Sequence, residues 1–65
     1  MDSRKVIQEL LRDGWYHVST VGDHWHFKHP TKPDRTTVPH PQKDIDIFVL
    51  KSIERQSGLN LRRKG

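Results

Sequence analysis

The 65-residue chain predicts an α+β domain with the element order α-β-β-β-α. Three observations carry this expectation: an apolar stripe at helical spacing near the start, two runs of aromatic and β-branched residues separated by Gly22-Asp23, and a second helical stripe after a proline-rich segment. The strands are expected to form a three-stranded antiparallel sheet, with both helices on one face and the other open to solvent. A chain this short buries only about 60% of the surface its unfolded form exposes. It holds one small core, so function must sit on an open surface or in a shallow groove.

In "DSRKVIQELLRDG", Val6, Ile7, Leu10 and Leu11 form one stripe of a helix that Ser3 is expected to cap and Gly14 to close with a left-handed backbone. "WYHVSTV", Trp15 to Val21, favours a strand, because Val18, Thr20 and Val21 lose rotamers in a helix. Gly22-Asp23 makes a tight connection into "HWHFKH", the second strand. Pro30 to Asp34 carries two prolines that no central strand tolerates and reads as a loop, and "RTTVP" is a short third strand. The prolines of "PHPQKD" keep that segment extended. From Asp46, "DIFVLKSIERQSG" predicts a second helix, capped by Asp46, ended by Gly58, and buried through Ile47, Leu50 and Ile53, with Leu59 packing after the glycine. Residues 1–59 then form the domain and 60–65, "NLRRKG", a basic frayed tail. The layout is that of a double-stranded RNA-binding domain.

Hydrophobic residues make up only 31% of the chain, but they cluster and include Trp15, Trp25 and Phe27, which points to a folded domain. Twelve Lys and Arg against eight Asp and Glu give a net charge of +4 with the five histidines neutral. Protonating all five gives 12 + 5 − 8 = +9. Polyanions are the natural partners of such a chain. The absence of cysteine excludes disulfides and thiolate zinc sites. No run reaches the roughly 20 apolar residues of a membrane span, and the N-terminus lacks the apolar region of a signal peptide. A soluble, cytoplasmic protein is expected.

The segment "GDHWHFKHP", Gly22 to Pro30, sets three histidines, two aromatics and a lysine in nine residues. Side chains alternate across a strand. Trp25 and Phe27 therefore belong to the core, while His24, His26 and Lys28 line the open face. As a metal site, His24 and His26 are neighbours that Asp23, His29 or His40 would have to complete, a spacing that matches no established zinc signature. As a ribonuclease site, one imidazole moves a proton while cations stabilise charge on a phosphate, and the 2′-OH of RNA supplies the nucleophile. The plainest alternative is an exposed strand that uses histidine for hydrogen bonding, and His17, His29 and His40 are read that way. Lys28, Lys32, Arg35 and Lys43 form a candidate phosphate-contacting patch.

"SRKVIQELLRDGW", "GDHWHFKHP", "TVPHPQKDI" and "LKSIERQSGL" resemble successive landmarks of the HicA toxins, the ribonuclease partners of HicA-HicB toxin-antitoxin pairs. The resemblance runs from Ser3 to Leu59. It implies the α-β-β-β-α fold, cleavage of mRNA without a metal or other cofactor, and neutralisation by a HicB-like antitoxin. It also implies that catalysis centres on the first histidine after the turn glycine, which here makes Gly22 the turn residue and His24 the catalytic one. His26 is not essential in the family pattern. Asp23 stands where the family usually has Ser or Thr, so a carboxylate adjoins the catalytic imidazole; activity is expected to be kept, with a displaced pH profile. Asp46 stands where the family often has Pro, and both suit a helix start. The competing expectation is a non-catalytic module that binds duplex RNA by shape.

Overall fold

The structure is a computed structural model that describes residues 1–62. It contains α1 (Ser3–Arg12), β1 (Tyr16–Val21), β2 (His24–Lys28), β3 (Thr36–Pro39) and α2 (Ile47–Ser57). The sheet order is β1-β2-β3, antiparallel throughout. Phe27 and Val38 from the sheet share one core with Val6 and Leu10 of α1 and Leu50 and Ile53 of α2. Both helices therefore cover the Phe27 face, and the predicted architecture is the one found. No helix among the described residues is long and apolar enough to cross a membrane.

The ends of α1 correct the sequence reading. Asp2, not Ser3, is the N-cap: its carboxylate accepts the Arg4 N–H at 2.9 Å from an extended backbone. Ser3 is the first helical residue and is fully buried, because its hydroxyl is taken by groups distant in sequence: His40 and the Gln42 N–H. At the other end, the Gly14 N–H bonds the Leu11 carbonyl and the Trp15 N–H the Leu10 carbonyl. This is the paired C-terminal cap of a helix that closes on a left-handed glycine. Gly14 has φ +103°, and a Cβ on it would lie 3.0 Å from His29 Nε2. The cap draws Trp15 out of the strand and into the core, so β1 begins one residue later than expected.

Two other predicted contacts shift. In α2, Leu50 and Ile53 are buried, but Ile47 is 46% exposed and Ile45, just before the helix, is buried instead. The chain reaches Ile45 by running along the start of α1, where Ser3 N–H bonds the Gln42 carbonyl and Ile45 N–H the Met1 carbonyl. Those bonds fix which side chain faces inward. The tail also differs from a frayed end in its described part. The Glu54 carboxylate accepts the N–H groups of Leu61 and Arg62 and the Arg62 guanidinium, and Leu61 packs against the core. Residues 63–65 lie outside the described residues.

Lys32 supplies the clasp between the helix ends. Its ammonium lies 2.6 Å from Asp13 Oδ2 and 2.9 Å from the Ser57 carbonyl, and the Trp15 indole N–H donates to the same Asp13 oxygen. A cation is favoured there because the last carbonyls of α2 lack helical partners. The Lys32 hydrogen bond is the main reason the Asp13 carboxyl is held below the usual carboxylate range, with the Trp15 indole adding to it. Glu54 is lowered as well, mainly by Arg62. A carboxyl depressed in the folded state stabilises it above the unfolded pKa, and that contribution disappears as pH falls through the folded value. The thermal midpoint should therefore drop as pH falls below about 4, near the unfolded carboxylate pKa. Asp13→Asn should lower the midpoint at pH 7 and flatten this acid limb in calorimetric scans, and an unchanged limb would contradict the clasp.

Candidate active site on the open face of the sheet

The site begins at the β1-β2 turn. Val21 pairs with His24, so Gly22 and Asp23 form a two-residue loop. Gly22 has φ +60° while Asp23 has a negative φ, the arrangement of a type II′ turn that needs glycine first. The turn fixes which way β2 leaves it. In register, His24 lies between Val21 and Pro39, His26 between Ser19 and Thr37, and Lys28 beside Tyr16. These residues alternate with Trp25 and Phe27, so His24, His26 and Lys28 share the helix-free face, as the strand pattern predicts. Phe27 is fully buried, whereas Trp25 is only half-buried and packs at the margin of the core.

β1 explains that margin. A bulge between His17 and Ser19 adds Val18 to the strand, and all six β1 residues are exposed. The helices cover the sheet on its β3 side, and Trp25 is walled on the other side by His17, with ring centroids 4.6 Å apart.

Four of the five histidines are engaged within the chain. His17 Nε2 lies 2.6 Å from Thr20 Oγ1, and His26 Nδ1 is 2.8 Å from Thr37 Oγ1. His29 bonds the Asp13 carbonyl at 2.8 Å and accepts the Thr31 N–H, with its ring edge-on to Trp15. His40 Nδ1 is 2.7 Å from Ser3 Oγ. The His24 side chain is 61% exposed, and among the described residues its one polar contact is a long one, 3.5 Å from Nε2 to Asp23 Oδ1. With the Asp23 side chain itself 70% exposed, that contact is screened by water and weak. An exposed imidazole held on a strand, with no close hydrogen bond among the described residues, can accept or deliver a proton to a molecule lying across the sheet.

The predicted cations do not converge. Lys28 is exposed and lies on the His24 face, four residues along the strand, or about 13 Å at the rise of a β-strand. Arg35 is exposed and precedes β3 at the same end as Lys28. Lys43 is exposed at the opposite end, beside a depression of about 350 Å³ at the start of α1 lined also by Arg4 and His40. Lys32 is half-buried in its clasp with Asp13 and Ser57, a partnership across 25 residues that no local pattern announces. The sequence reading also missed the Ser3-His40 contact, which spans 37 residues.

The element order, the helix-free face and, at its head, the one histidine side chain left unengaged among the described residues define a small domain laid out like a double-stranded RNA-binding domain, with a solvent-facing imidazole. A family model described as the HicA toxin of bacterial toxin-antitoxin systems matches residues 3–59, most of the chain. The protein belongs to the HicA toxin family, and an antitoxin is the partner that membership implies. No curated protein matches the chain.

Proposed function

We propose that this protein is the toxin of a type II toxin-antitoxin pair, an endoribonuclease that cleaves mRNA in the cytoplasm without a metal, with His24 as its acid-base residue. The observation that carries this reading is that the His24 side chain, alone among the five histidines, makes no hydrogen bond among the described residues. The chemistry asks little of the fold. The RNA 2′-oxygen forms a bond to the adjacent phosphorus as the bond from phosphorus to the 5′-oxygen breaks. One proton leaves the 2′-OH and one arrives at the departing oxygen. His24 carries one of these protons and solvent water the other, and the net positive chain balances charge on the phosphate. Lys28, Arg35 and Lys43 are the cations available for backbone contacts along a single strand, since Lys32 is engaged in the fold. A HicB-like antitoxin would neutralise so open a site by covering it.

The decisive assay incubates the purified protein with RNA in excess chelator. Cleavage that yields 2′,3′-cyclic phosphate and 5′-hydroxyl ends supports the reading. RNA binding without cleavage would replace it with the non-catalytic module. Asp23→Ser is expected to retain cleavage while moving its pH profile, because it removes the carboxylate that lies 3.5 Å from the imidazole. Superimposable profiles would remove any role for Asp23.

A further inference from the structure

His40 lies on the side of the sheet opposite His24, yet it touches the residues on either side of His24 in the chain. His24 pairs with Pro39, and the next residue, His40, donates its backbone N–H to the Asp23 carbonyl at 2.7 Å. That bond closes the far side of the Gly22-Asp23 turn immediately before His24. The His40 ring meets the Trp25 ring edge-on, with centroids 4.7 Å apart and planes at 81°. Trp25 is the residue immediately after His24. Two of the contacts made by His40 thus fall on the chain neighbours of His24, one before it and one after.

The ring is itself held. Ser3 Oγ lies 2.7 Å from His40 Nδ1, and Ser3 is fully buried. The Ser3 oxygen already accepts the Gln42 N–H at 2.9 Å. Among the described residues, the hydroxyl hydrogen has no acceptor other than His40 Nδ1, so serine donates and the imidazole carries its own hydrogen on Nε2. The hydroxyl thus links α1, the segment after β3 and the His40 ring. A buried donor of this kind orients its acceptor, as outer partners orient ligating histidines in metal sites.

We propose that His40 is a positioning residue for His24: its ring, oriented by Ser3, packs on Trp25 and anchors to α1 the backbone whose N–H holds the Asp23 carbonyl. This rests on the reading of His24 as the acid-base group. His40 never meets the RNA on the open face. Loss of the ring leaves the backbone N–H in place but unfastens its segment from Ser3 and from Trp25, so the turn slackens and the imidazole samples orientations outside the reactive one. Misplacement of about 1 Å by a change remote from the chemistry can cost on the order of 100-fold in rate.

The test compares His40→Ala, His40→Asn and Ser3→Ala with the parent, using Ile53→Val, a buried core position on α2, as a stability control. Single-turnover cleavage should fall by about 10- to 100-fold in His40→Ala, with RNA affinity unchanged, and Ser3→Ala should fall in the same direction by less. His40→Asn should recover much of the rate, because its side-chain carbonyl can stand near the Nδ1 position and accept the Ser3 hydroxyl. Parental rates in both His40→Ala and Ser3→Ala, or an equal loss in Ile53→Val, would overturn the proposal. NMR separates this outcome from failure of the ribonuclease reading. Even if the parent cleaves nothing, the His24 imidazole and Asp23 amide signals should move in His40→Ala and Ser3→Ala but hold in Ile53→Val. Signals that stay fixed in the first two would overturn the positioning role on their own.

Discussion

His24→Ala should abolish RNA cleavage, by a factor on the order of 10² to 10⁴, while leaving the thermal midpoint at its parental value. Both halves of the expectation follow from the geometry. The side chain is 61% exposed and makes no hydrogen bond among the described residues, so its removal opens no cavity and strands no polar group. The other histidines should behave in the opposite way. His29→Ala leaves the Asp13 carbonyl and the Thr31 N–H without a partner and exposes the edge of the buried Trp15. That change should destabilise the fold by about 1–3 kcal/mol and affect cleavage only through unfolding. Rate and melting measurements on the two variants therefore sort site from scaffold. A His24→Ala protein that cleaves at the parental rate would end the proposed mechanism, and one that melts early would contradict its exposed placement.

Phe27→Ala should produce the largest loss of stability. Phe27 is fully buried near the end of β2, between Thr36 on one strand and His17 on the other, in the core that joins both helices. Truncating a buried phenylalanine costs about 3–5 kcal/mol. A domain of this length has roughly 3–10 kcal/mol in total, so the variant should be largely unfolded near 37 °C by circular dichroism. Trp25→Ala removes a larger ring yet should cost less, because Trp25 is half-buried at the margin of the core. Equal losses at the two positions would mean that the helices reach further across the sheet than the structure shows. In this comparison, exposure outranks side-chain size.

Much of the fold was legible because its signals are local. Gly14, Gly22 and Gly58 all take positive φ at the turns and helix ends where the sequence predicts them. Asp46 caps α2, and the alternation of "HWHFK" places His24, His26 and Lys28 on one face. Errors arose where a long-range partner outcompeted a local preference. Ser3 is as good a cap as Asp2, but its hydroxyl is bonded to His40, and the cap falls to Asp2. Ile47 fits the helical stripe, but the segment that runs beside α1 delivers Ile45 to the core first. Residues 61 and 62 read as a tail, yet Glu54 binds both through their backbone N–H groups.

By itself the sequence determined the order of elements, the turn that presents His24 and the face on which it stands, because strand alternation and helix caps depend on neighbours a few residues away. The family resemblance pointed to His24, but no local pattern showed which of the five histidines or which of the four patch cations the fold would engage. Only the tertiary structure decided which imidazole is free, by engaging His17, His26, His29 and His40 elsewhere, and which lysine is occupied, by giving Lys32 to Asp13 and Ser57. The physical reason is distance along the chain. The hydrogen bonds of His29, Lys32 and His40 close over 16, 25 and 37 residues, and such partners meet only after the helices have packed on the sheet.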